Sequence, residues 1–133
     1  MAKILGIDYG AKRIGVAMSD EGGRVAFPFS VVPNDKNALF TLRSLCGEEK
    51  IGRIVVGESL NSRGEDNQVM AAARLFVETL AEETALPVSF EQEFLTSVEA
   101  HRSSFEEQGK KGRQEVDSSA AALILQRYLD KQK

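Results

Sequence analysis

A chain of 133 residues with 42% hydrophobic and 28% charged content is expected to form one globular domain, residues 1–133, with a core of its own. With 17 basic residues against 20 acidic ones the net charge is −3, which excludes a general affinity for polyanions. A nucleic-acid role would need a local basic patch or metal ions. The single cysteine, Cys46, excludes an internal disulfide and fits a reducing, cytoplasmic setting, and neither a secretory signal nor a membrane span is read.

Residues 4–9 and 13–19 read as two short strands around a turn of Gly10, Ala11, Lys12 and Arg13. The first is apolar enough to be buried on both faces, yet Asp8 stands near its end. A desolvated carboxylate is costly alone and wants a metal, a cation or several donors. Asp20-Glu21-Gly22-Gly23 signals a hairpin turn into a third strand at 24–32. Pro28 cannot donate to a ladder, so that strand is expected to lie at an edge or to be interrupted there.

Pro33-Asn34-Asp35 is expected to open a helix bearing Ala38, Leu39, Leu42, Leu45 and Cys46, closed by Gly47 or continuing to Lys50. A continuously apolar strand follows at 53–57, of the kind parallel sheets bury. Beyond the polar stretch 61–67, Val69, Ala73, Phe76, Val77 and Leu80 mark a second helix. A fifth strand at 87–90 runs into Glu91-Gln92-Glu93. Thr96 or Ser97 is expected to cap a helix to about Phe105, and the glycine-punctuated segment 106–113 to be mobile. A last helix spans about 115–131. The order β-β-β-α-β-α-β-α-α implies an α/β fold on a mixed five-stranded sheet, three antiparallel strands then two parallel ones.

In such sheets ligands gather outside the carboxyl ends of the parallel strands. Asp8, Glu58 and Glu93 all stand at or just past strand ends. Asp117 opens an apolar stripe with Ala121, Ile124 and Tyr128, and small neighbours (Ser118, Ser119, Ala120) let that helix approach closely. Converging carboxylates repel unless a cation sits between them. Oxygen ligands select Mg²⁺ or Mn²⁺, and a pair of ions suits in-line displacement at phosphorus. Singly, Asp117 also reads as a favourable acid at a helix N-terminus, and Glu93 and Glu58 as solvated charges.

Lys12, Arg13, Asn61, Arg63, Lys110, Lys111 and Arg113 are candidates for phosphate contacts, with ordinary surface solubility as the alternative. Thr96 and Ser97 are caps or a phosphate-binding helix end. His101, the only histidine, has no second soft ligand to share a metal with. Asp20 reads as turn chemistry and Cys46 as a packed thiol.

Taken together, Gly6-Ile7-Asp8-Tyr9-Gly10 through Lys12-Arg13-Ile14-Gly15-Val16-Ala17 resembles the opening signature of the YqgF/RuvX family. Val55-Val56-Gly57, Leu60-Asn61 and Gly64 resemble its fourth-strand segment, and Glu93-Phe94-Leu95-Thr96-Ser97-Val98-Glu99-Ala100 its Asp-Glu-Arg-Leu-Thr-Thr segment. Residues from Asp117 to Ala121, then Ile124-Leu125-Gln126 and Leu129, resemble its closing helix. The resemblance implies an RNase H-like fold akin to Holliday-junction resolvases. It also implies a nuclease that completes the 5′ end of small-subunit (16S) ribosomal RNA, with Asp8, Glu93 and Asp117 as the acidic site.

Two departures stand out: Glu58-Ser59 replaces the family's Leu-Pro, and Gln92-Glu93-Phe94 replaces Asp-Glu-Arg. In resolvases of the wider fold a strand-four acid is a metal ligand, so Glu58 is expected to point toward Asp8 and supplement it. The expected partners are structured RNA, ribosomal precursor particles or branched DNA, with the chain a monomer or homodimer and no membrane involved. Two other functions stand beside the RNA nuclease: a resolvase of four-way DNA junctions, and a non-catalytic nucleic-acid-binding factor in transcription or ribosome maturation. Sugar kinases and actin-like ATPases share the Asp-Xaa-Gly opening but need two such domains, and this chain has room for one.

Overall fold

The computed structural model describes residues 2–58, 68–92 and 113–132, with side chains from Ser118 onward in the last stretch. Its elements are β1 (Lys3–Tyr9), β2 (Arg13–Ser19), β3 (Ala26–Pro33), α1 (Ala38–Glu48), β4 (Ile51–Glu58), α2 (Gln68–Thr84), β5 (Val88–Gln92) and α3 (Arg113–Lys131). The strands form one sheet in the order β3-β2-β1-β4-β5. β2 pairs antiparallel with β1 and β3, whereas β4 pairs parallel with β1 and β5. The mixed sheet read from the sequence is the one the chain forms. The helix expected from Thr96 or Ser97 and the segments at 61–67 and 106–112 lie outside the described residues.

β1 is central, and its alternating side chains divide between two cores. Leu5 and Ile7 pack with Ile14, Val16, Ile54 and Val56 against Leu42 of α1 and Val77 and Leu80 of α2. On the other face Ala17 and Val55 meet Ala121, Ile124, Leu125 and Leu129 of α3. Burying each large aliphatic side chain contributes about 1.5–3 kcal/mol, so both faces hold β1 in place. Gly6 sets how closely α3 approaches. A Cβ there would stand 2.9 Å from Leu125 Cβ and 3.2 Å from the Ala121 carbonyl oxygen.

β3 lies at the edge and its pairing is also interrupted at Pro28, so both readings of the proline hold, but it occupies Ala26–Pro33 and not 24–32. Its start is set by Asp20, whose Oδ1 accepts the N–H groups of Arg24 (2.7 Å) and Val25 (3.2 Å). Those two donors hold the Asp20 carboxyl below its ordinary range, which confirms it as a turn residue. Pairing slips between Val16 and Ala17, which face Ser30 and Pro28, so Phe29 is the extra residue of a bulge beside the proline.

Because Pro33 still pairs with Arg13, the helix expected to open at 33–35 begins later, at Ala38. Asp35 Oδ1 accepts the Asn37 N–H at 2.9 Å on the way in. Gly47 does not close α1, which runs to Glu48 and turns through Lys50 at φ 55°. Cys46 is a packed thiol, 5% exposed, and burial pushes it up to about 11, so it stays protonated at neutral pH. No helix among the described residues is long and apolar enough to cross a membrane.

Candidate active site

Asp8 is the second-last residue of β1 and only 9% exposed. Alternation puts it with Ile4 and Gly6 on the α3 side of the sheet, opposite Ile7 and Tyr9. Its partner on β2 is Gly15, and on β4 Gly57 follows the Val56 that pairs with Ile7. Asp8 therefore has a residue without a side chain on either flank.

The turn beyond Asp8 is built tightly. The Gly10 N–H donates to the Arg13 carbonyl at 2.9 Å, and a Cβ on Gly10 would stand 2.6 Å from that oxygen. Asn34 holds the turn from outside. Its backbone N–H donates to the Lys12 carbonyl at 2.9 Å and its Nδ2 to the Gly10 carbonyl at 2.7 Å. Sequence reasoning assigned Asn34 to a helix start and so missed this clamp. Lys12 is exposed and Arg13 half-buried, and the turn carries both at the Asp8 end of the sheet.

Glu58 ends β4, but the structure does not bring it to Asp8. It follows Ile54 and Val56 in alternation, which places it on the α1 and α2 side. There Arg74 Nη2 donates to Glu58 Oε2 at 2.7 Å, and the same guanidinium lies 4.9 Å from the centre of the Phe90 ring. The expectation that Glu58 supplements Asp8 is corrected by strand parity: a residue one position off the required phase faces the wrong layer.

Glu91, which the sequence reading passed over, takes the acidic position on Asp8's side. It pairs with Gly57, is 4% exposed, and stands about 10 Å from Asp8, two strand spacings across the glycine. Lys131 of α3 donates to its Oε2 at 2.6 Å. The signal was available in the alternation of Ser89 and Glu91 with Phe90, but the run Glu91-Gln92-Glu93 reads as a polar strand end.

Asp117 lies in the described part of α3, and Glu93, Asn61, Arg63 and Thr96 lie outside the described residues. Between Ala121 and Gln126, α3 passes from the Gly6 row to Ala26, which pairs with Ser19 at the amino end of β1. Among the described residues no three potential ligands form a metal cluster. Asp8 alone of the proposed triad has a described side chain. A buried carboxylate is an oxygen donor of the kind a hard divalent cation takes, so the chemistry of Asp8 fits such an ion.

A three-stranded antiparallel unit extended by two parallel strands, with an acid at the end of the central strand and a closing helix across it, is the architecture of an RNase H-like domain. Solved structures agree. RuvC from Thermus thermophilus bound to a Holliday junction substrate superposes with a TM-score of 0.63 over 98% of this chain and 95% of that one, at 18% identity. The fowlpox virus resolvase with its Holliday junction DNA gives 0.58 over 98% of both, at 10% identity.

The family model described as RuvX: Holliday junction resolvase matches residues 2–131, and the chain belongs to that family. Relatives named "Putative pre-16S rRNA nuclease" include one from Nitratidesulfovibrio vulgaris, 42% identical over 96% of this chain and 93% of its own length. Another, from Chloroflexus aggregans, is 39% identical over 96% and 92%.

Proposed function

We propose that this protein is a divalent-metal-dependent endonuclease that trims the 5′ end of precursor 16S ribosomal RNA. Family membership across residues 2–131 and the RNA named by its relatives support the substrate. The observation that carries the chemistry is Asp8, a buried carboxylate between two glycines at the carboxyl end of the central strand.

Asp8, Glu93 and Asp117 hold Mg²⁺ or Mn²⁺, with room in the chemistry for two ions. Bound there, the metal supplies Lewis acidity at the scissile phosphate and lowers the pKa of the attacking water. The protein's own part is placement. β1 fixes Asp8 from both faces, the Asn34 clamp holds the turn that carries Lys12 and Arg13, and those cations meet phosphates flanking the cut. Asn61, Arg63 and Thr96 add phosphate contacts from the neighbouring loops. A net charge of −3 means that this local set, together with the ions, draws the substrate in. The reaction takes place where ribosomal precursors mature, in the cytoplasm.

A resolvase activity on four-way DNA is the second reading, favoured by the fold shared with RuvC. Incubation of the protein with a 5′-extended 16S rRNA precursor and with a synthetic four-way junction separates the two. Cleavage of the precursor with Mn²⁺, none with EDTA, and little cutting of the junction is expected. Preferential cutting of the junction would replace the first reading with the second. No cleavage of either would favour a binding factor.

A further inference from the structure

The β3 edge of the sheet carries two aromatic rings in water, Phe27 at 52% exposure and Phe29 at 48%. Phe27 pairs with Met18 and so stands on the α1 side, and Phe29 is the extra residue of the bulge. The backbone beside them shows which partners are excluded. An open edge ordinarily invites another strand. Val25 and Asn34 bond inward, to Asp20 and Lys12, so the regularly paired residues whose backbone faces outward are Ala26, Pro28, Val31 and Pro33.

Gln126 Oε1 takes the Ala26 N–H at 2.9 Å, and its Nε2 donates to the Arg24 carbonyl at 3.0 Å. The two prolines have no N–H to give. Three of those four positions therefore offer no donor, and the bulge at Phe29 breaks the repeat. A peptide strand, or β3 of a second copy, has no ladder to join here. Contact through the side chains alone is also too small for a second copy. Two half-exposed phenylalanines present roughly 200 Å² together, against about 800 Å² per partner in a stable complex.

The ligand that fits takes one ring at a time and asks nothing of the backbone. Unpaired nucleic-acid bases are such ligands, and they stack on single aromatic side chains carried by strands. The flanking charges suit their phosphates. Arg24 is exposed just before the rings. At the far end Pro33 pairs with Arg13, and Asn34 holds the turn that carries Lys12. Phe27 to Pro33 spans about 20 Å at 3.3 Å per residue, so β3 leads from the rings to the cations at the Asp8 end of the sheet.

We propose that Phe27 and Phe29 stack unpaired bases of the substrate RNA, making the β3 edge a track for the single-stranded part of the precursor. This rests on the nuclease reading above. Fluorescence anisotropy in EDTA, with an unstructured RNA strand and with a blunt RNA duplex, tests it on Phe27→Leu, Phe29→Leu and Phe27→Trp. Leucine keeps the apolar surface and loses the ring, whereas tryptophan keeps a ring.

Each leucine variant, its fold checked by circular dichroism, is expected to bind the single strand about tenfold more weakly, within the range for losing one base–aromatic stack. The salt dependence stays the same because no phosphate contact is lost, and duplex binding stays within about twofold. Phe27→Trp keeps the affinity, and the RNA strand quenches its fluorescence. Unchanged single-strand affinity in both leucine variants overturns the stacking role. So does a change from dimer to monomer in those variants on gel filtration, which makes the rings a contact between copies. In either case, cleavage of the 5′-extended precursor by the unsubstituted protein leaves the nuclease reading standing. Absence of that cleavage, with no binding of the RNA strand, removes the reading and the proposal with it.

Discussion

Asp8→Asn is expected to abolish Mn²⁺-dependent cleavage while leaving the protein folded. The substitution keeps the shape of the side chain and removes the charge that would hold a cation. Loss of a metal ligand forfeits several kcal/mol of transition-state stabilisation. At 1.36 kcal/mol per decade, that is about 10³-fold or more in rate. Stability should change little, because Asn fills the same buried position and keeps the shape of the side chain. Cleavage assays alongside thermal unfolding separate the two effects. A rate within tenfold of the unsubstituted protein would remove Asp8 from the chemistry, and a collapsed melting point would make it a structural acid.

Gly6→Val carries the second large effect, on the fold itself. Adding only a Cβ already places an atom 2.9 Å from Leu125 Cβ and 3.2 Å from the Ala121 carbonyl oxygen. Leu125 is fully buried and Ala121 contributes backbone, so neither can retreat without moving α3 off β1. Overpacking of this kind costs typically 1–3 kcal/mol, and two further methyl groups put Val at about 3. For a domain of this size that lowers the unfolding midpoint by about 10 °C. Calorimetry reads the shift directly. An unchanged midpoint would mean that α3 does not lie against β1 as closely as these contacts require.

The same glycine shows how the sequence carries the fold. Gly6, Gly15 and Gly57 sit in strand runs where glycine weakens pairing, and each read from the sequence as part of a motif with no stated purpose. In the structure Gly6 admits the closing helix, and the other two flank the acid. The strands themselves were legible because β1 and β4 are continuously apolar and β3 carries its edge marker, Pro28. β2 was matched residue for residue, whereas α1 started later than read because Pro33 and Asn34 serve the sheet.

The site was legible in part. Asp8 declared itself by being an acid in apolar company. Glu58 misled, since position at a strand end says nothing about which face a side chain takes, and one step of parity sent it to Arg74. Glu91 was hidden for the converse reason: its run of polar neighbours concealed an inward-facing acid held by Lys131. Asn34 escaped notice because it acts on backbone carbonyls of a distant turn, at Gly10 and Lys12, a pairing that no local pattern encodes.

The central claim is that Asp8 shares a divalent cation with Glu93 and Asp117, and anomalous diffraction from crystals soaked in Mn²⁺ tests it most directly. The expected result is a manganese peak about 2.1 Å from a carboxylate oxygen of Asp8, with Asp117 and Glu93 as its other protein ligands. A peak coordinated at Glu58, or none beside Asp8 at saturating Mn²⁺, would contradict it.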